Sequence, residues 1–165
     1  MALQNSNIFA LSIKDNMSRS GLVGDSEIES ALNKLALKNV INKCDQDYSR
    51  QLTNEFNKSG IELSGGERQK IAIASLLSRK FGLLIFDEPS SSLDPISELE
   101  LSKIIFNKSN ESTTIVISHN LFCVKIADKI IVLENGRVVE EGTHDELLQN
   151  KAIYYKIYSV QSSEY

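Results

Sequence analysis

Apolar and polar positions divide the chain into stretches of helical period and short runs of strand character. From Asp25 to Leu37, Ile28, Ala31, Leu32 and Leu35 fall at helical spacing behind Ser26 and Glu29, a capping-box pair, and predict a helix whose role is packing. The polar stretch from Asn39 to Ser59 has only weak periodicity. Ser64, followed three residues on by Glu67, is a second capping box and predicts a helix from the paired glycines Gly65 and Gly66 to about Arg79. Leu83, Leu84, Ile85 and Phe86 form an unbroken apolar run after Gly82, which suits a parallel strand buried on both faces. Pro89 prevents that ladder from continuing. Pro95 suits a first helical turn, with Asp94 as N-cap, and the helix is expected to reach about Asn107. Thr113 to Ile117 is a second, β-branched strand run, expected to lie parallel to the first. Lys129–Leu133 and Arg137–Glu141 flank Glu134-Asn135-Gly136, a hairpin signal. Thr143 and Glu146 cap a helix through about Gln149, and Ile153, Tyr154, Ile157 and Tyr158 mark a last amphipathic stripe. The order predicts an α/β fold: a parallel sheet flanked by helices, closed by a C-terminal β-hairpin.

Composition narrows the classes without choosing among them. At 165 residues the chain is one domain's worth, with 41% hydrophobic and 24% charged content, enough to bury a core. A net charge of −4 and the lack of any basic run argue against an electrostatic nucleic-acid binder. Cys44 and Cys123 stand in no metal or redox spacing and read as reduced thiols. The sequence shows no signal peptide, and no apolar run approaches the roughly 20 residues needed to cross a bilayer, so a membrane-spanning partner is expected to be another chain or a part outside this sequence.

Candidate chemistry concentrates between Leu63 and Asp94. The first turn of a helix at LSGGERQ offers unpaired N–H groups; Gly65 and Gly66 carry no side chain to keep a ligand away, and Ser64 adds a hydroxyl, a combination suited to phosphate. The apolar run ends in Asp87 and Glu88, where open α/β sheets place their ligands. An apolar run ending in aspartate is the Walker B pattern, in which Asp87 holds Mg²⁺, directly or through water, and Glu88 polarises the water that attacks a γ-phosphate. A lone histidine is more often structural than catalytic, but His119 follows the second strand and is therefore expected on the same sheet rim as Asp87 and Glu88.

LSGGERQ, FDEPSSSLD and SHN, in that order and spacing, resemble the nucleotide-binding domain of ABC transporters. The resemblance implies a partial P-loop NTPase (RecA-like) core, with an α-helical signature subdomain at about 5–80 and the Walker B half of the core at about 81–165. Asn39–Ser59 resembles the rest of the helical subdomain, and Glu55 is either a solvated acid or the acid the family often carries before the signature. Gln4, with Ile8-Phe9, Ser12-Ile13 and Asp15-Asn16 behind it, resembles the Q-loop of exporter-type domains, whose glutamine reaches the Mg²⁺ and the attacking water and whose following residues receive coupling helices of the membrane domain. By the same resemblance His119 senses the γ-phosphate, and the turn with Ser91, Ser92, Leu93 and Asp94 crosses a dimer interface; its second copy places Ser64, Gly65, Gly66 and Glu67 on the nucleotide. ATP and Mg²⁺ are the implied cofactors. The implied partners are a second nucleotide-binding domain and an exporter's transmembrane domain, with no nucleic acid, and the implied location is the cytoplasmic face of the membrane. Ser75 departs from an arginine common in the signature helix and His144 reads as a surface residue. No G-x-x-x-x-G-K-[ST] occurs in the sequence. The chain alone is therefore expected to bind ATP weakly or not at all and to expose a sheet edge that favours self-association. A soluble ABC ATPase and a non-enzymatic module of the same fold stay open at this point.

Overall fold

A computed structural model describes residues 8–17, 24–53, 60–77, 81–91, 93–108 and 112–163; Gln4, Glu55, Ser92 and the side chain of Cys123 lie outside it. The chain divides into two compact units, residues 1–117 and 118–165.

In the first unit, helices α1 (Ile13–Met17), α2 (Asp25–Lys34), α3 (Lys38–Cys44) and α4 (Gly65–Leu77) precede strand β1 (Leu83–Asp87), helix α5 (Pro95–Lys108) and strand β2 (Thr113–Ile117). α1 packs on α4, and α2 on α3 and α4. The helix expected from Asp25 to Leu37 stops at Lys34, because Ala36 takes a left-handed conformation (φ 55°) and turns the chain. Its cap also sits earlier than Ser26 and Glu29 suggest: the Gly24 amide donates to the Glu27 carboxylate at 3.1 Å. α3 lies inside the stretch of weak periodicity; Val40, Ile41 and Cys44 are buried on it, and burial pushes the Cys44 thiol up to about 11. Asp45 ends it in the left-handed region.

β1 and β2 pair in parallel, Leu83 with Thr113 through Asp87 with Ile117, and among the described residues they form a two-stranded sheet. Leu84 and Phe86 face the core with Ile71, Ile73, Leu101 and Ile105. On the other face Leu83 is 51% exposed, Ile85 37%, Ile115 45% and Ile117 51%. The expected strand buried on both faces is thus buried on one, since the unit's described helices supply apolar partners only to the side carrying Leu84 and Phe86.

In the second unit, α6 (Leu121–Val124) precedes the hairpin β3 (Ile130–Glu134) and β4 (Arg137–Gly142), followed by α7 (His144–Asn150) and α8 (Ile153–Ser163). Asn135 and Gly136 both have positive φ, 50° and 75°, as the predicted turn requires. Thr143 caps α7 as expected, exchanging bonds with Glu146. Leu121, Ile130, Leu147 and Tyr154 form this unit's core. His144 is half-buried rather than a plain surface residue: its Nδ1 lies 2.8 Å from the Tyr154 hydroxyl, and its ring meets Tyr158 edge-on. Burial pushes the Tyr154 phenol up to about 12. Ile157 departs from the predicted stripe and is exposed.

Candidate functional site

The first turn of α4 forms as the sequence predicts. The Ser64 amide donates to Glu67 Oε2 at 2.8 Å and the Glu67 amide donates to Ser64 Oγ at 3.2 Å, a reciprocal cap. The first amide to return to the Ser64 carbonyl is that of Arg68, at 3.0 Å, so those of Gly65 and Gly66 come before the ladder begins. A Cβ added at Gly65 would meet no atom within 4 Å, so neighbouring packing is not what requires glycine there. Open space beside first-turn amides fits the approach of a phosphate.

Ser64, Gly65, Gly66, Glu67 and Asp94 line one cavity of about 490 Å³ within the first unit, joined by Lys70. Asp94 caps α5, its Oδ1 accepting from the Ile96 amide at 3.1 Å and the Ser97 amide at 3.0 Å. The Ser97 hydroxyl and then its amide hold the Asp94 carboxyl below the usual carboxylate range. Four residues from the signature stretch and one from the turn before α5, separated by about thirty positions, therefore share a single polar hollow.

A cation that sequence spacing gave no reason to expect completes this corner. Lys43, on α3, donates to both carboxylate oxygens of Glu67 at 3.0 Å and to the Glu62 carbonyl at 3.3 Å. Burial alone would push the Glu67 carboxyl up; the Ser64 amide and then Lys43 overcome it and hold the group below its ordinary value.

Asp87 ends β1 opposite Ile117, and Glu88 follows it with a left-handed backbone, φ 46°. The Glu88 amide still reaches the Ile117 carbonyl at 2.9 Å, so the strand pairing carries one residue past Asp87. The buried Gln69 of α4 donates from Nε2 to the Glu88 carbonyl at 3.5 Å, a link between the signature helix and the strand end that sequence reasoning did not find. His119 is exposed in the second unit, where its carbonyl accepts from Gln161 Nε2 at 2.7 Å. Among the described residues no three His, Cys, Asp or Glu side chains gather as a metal site. A single strand-end carboxylate such as Asp87 fits Mg²⁺, which is held by one or two carboxylates together with substrate phosphates.

No described helix is long and apolar enough to cross a membrane. The model of the family described as ABC transporter matches residues 1–91. The chain is 36% identical over 156 residues to the glutathione/L-cysteine transport system ATP-binding/permease protein CydD of Bacillus subtilis, covering 94% of this chain and 26% of that protein. It is 34% identical over 160 residues to the ATP-dependent lipid A-core flippase of Escherichia coli K12, covering 96% and 27%. The solved structure of a bacterial Atm1-family ABC exporter with ATP bound superposes with a TM-score of 0.82 at 30% identity, over 98% of this chain and 28% of that one. The chain thus spans about a quarter of the length of these relatives. The motifs, the α/β architecture and the family match agree, and the chain belongs to the ABC transporter family.

Proposed function

We propose that this chain is part of the ATP-hydrolysing domain of an ABC exporter, working as a pair of such domains on the cytoplasmic side of a transmembrane partner. The observation that supports it most is the shared hollow of Ser64, Gly65, Gly66, Glu67 and Asp94. First-turn amides and a hydroxyl beside an open space suit the terminal phosphate of a nucleotide held by a second domain. Within its own domain, Asp87 would hold the Mg²⁺ of ATP, and Glu88, Gln4 and His119 are the residues whose motifs match the roles of orienting the attacking water, completing the metal and water site, and sensing the γ-phosphate. Catalysis of this kind relies on positioning and charge stabilisation, with no covalent step. The bound Mg²⁺ would supply neutralisation of phosphate charge. Such a site also needs a phosphate-cradling loop, a motif this sequence does not contain, so turnover is expected only where another segment supplies it. Phe9 and Leu11, about half exposed before α1, offer an apolar surface to a coupling helix.

The test is a chimera in which residues 1–165 replace the matching segment of the E. coli lipid A-core flippase. Its ATP turnover is expected to persist, and Glu88→Gln to lower it about a hundredfold or more. A folded chimera without turnover, or one indifferent to Glu88→Gln, would overturn the reading.

A further inference from the structure

We propose that Lys43 is a positioning residue for phosphate recognition: by pairing with Glu67 it allows a carboxylate to cap α4 without repelling the anion that the same turn receives. The proposal rests on the reading of that turn as a phosphate contact. A capping box needs an acceptor at position 67 that reaches back to the Ser64 amide, and Glu67 does so at 2.8 Å. A glutamine oxygen would serve the backbone equally and carry no charge. The glutamate instead places a negative charge at the helix end whose dipole and amides favour an anion.

Lys43 removes that conflict. Its ammonium bonds both oxygens of Glu67, and the Glu62 carbonyl gives it a third anchor. Arg50 Nη1 donates to the Lys43 carbonyl at 2.9 Å, tying down the end of α3 that carries the lysine. The Glu67 side chain is only 17% exposed, so water screens its charge poorly. The other charged groups around the hollow are Lys70, whose Nζ lies 3.4 Å from Ser97 Oγ, and Asp94. The lining itself carries two carboxylates against one ammonium, and Lys43, behind the lining, balances them through Glu67.

The amide signals of Gly65 and Gly66 in the full chain, titrated with sodium tripolyphosphate, report the effect. Lys43→Ala is expected to weaken the response about tenfold, the scale of one unscreened charge at this range. Lys43→Arg is expected to stay within about twofold of the parent, since it keeps the charge and two donors. The double variant Lys43→Ala/Glu67→Gln is expected to recover to about the parent affinity, because neither charge remains while the cap persists. A double variant as weak as Lys43→Ala would mean that Lys43 binds the phosphate itself, and Lys43→Ala equal to the parent would mean that the pair is structural only; either result overturns the proposal alone. No response of Gly65 and Gly66 in the parent would overturn the phosphate reading and the proposal together.

Discussion

The two faces of the β1–β2 sheet are made of nearly the same residues and meet opposite fates. Leu84 and Phe86 are buried against α4 and α5, whereas Leu83, Ile85, Ile115 and Ile117 lie exposed. Apolar content does not distinguish Leu83 from Leu84; what differs is that the first unit's described helices supply apolar partners to Leu84. A strand's hydrophobicity states what it can bury, and the surrounding elements decide what it does bury.

The comparison is broken most sharply by truncating one residue on each side. Phe86→Ala is expected to cost about 3–5 kcal/mol in denaturant unfolding, from lost burial plus the cavity left behind. Leu83→Ala, three register pairs away on the same strand but half exposed, is expected to cost about 1 kcal/mol or less. Equal costs would mean that the outer face is covered in solution. Replacing Ile85 and Ile115 together by threonine is expected to weaken concentration-dependent self-association in sedimentation about tenfold, since it removes the middle of the exposed apolar face. A parent that stays monomeric at all concentrations would refute that use of the face.

Smaller effects are expected where the contacts are local. Asp94→Ala removes the cap of α5 and is expected to lower the unfolding midpoint, and Thr143→Ala, which removes the cap of α7, is expected to cost about 1 kcal/mol. Asp94, Glu67 and Glu146 all have carboxyls held below the ordinary range: Asp94 by Ser97; Glu67 by Ser64 and Lys43 against the opposing effect of burial; Glu146 by Thr143. Their contribution to stability is present above the unfolded carboxyl value, about 4, and is lost as pH falls through the lower folded values. Acid unfolding followed by circular dichroism is expected to show this loss, and to show less of it in Asp94→Asn.

Features closed within a few residues were legible in the sequence. Ser64 with Glu67, Thr143 with Glu146 and Asn135-Gly136 act over three positions or fewer, so composition alone declares them. The parallel pairing of the two strand runs was legible for a similar reason, since each run is short, apolar and ends at a stop signal. α3 was not, because its seven residues in a polar context bury only Val40, Ile41 and Cys44, too short a pattern to show a period. Lys43 and Glu67 stand twenty-four positions apart, and Gln69 and Glu88 nineteen, with no local rule connecting either pair. These tertiary contacts decide the electrostatics of the candidate site, while its outline comes from local capping.

With the role proposed for Glu88, its left-handed backbone would set opposing selection pressures on one codon. A non-glycine residue at φ 46° costs of order 1 kcal/mol, and glycine or asparagine would adopt the same turn more easily. A library randomised at position 88 and sorted for thermal stability alone is expected to enrich glycine and asparagine. The same library sorted for ATP-driven growth in the flippase chimera is expected to return glutamate. Such a split between the two libraries would mark position 88 as one that serves the proposed role at the expense of stability.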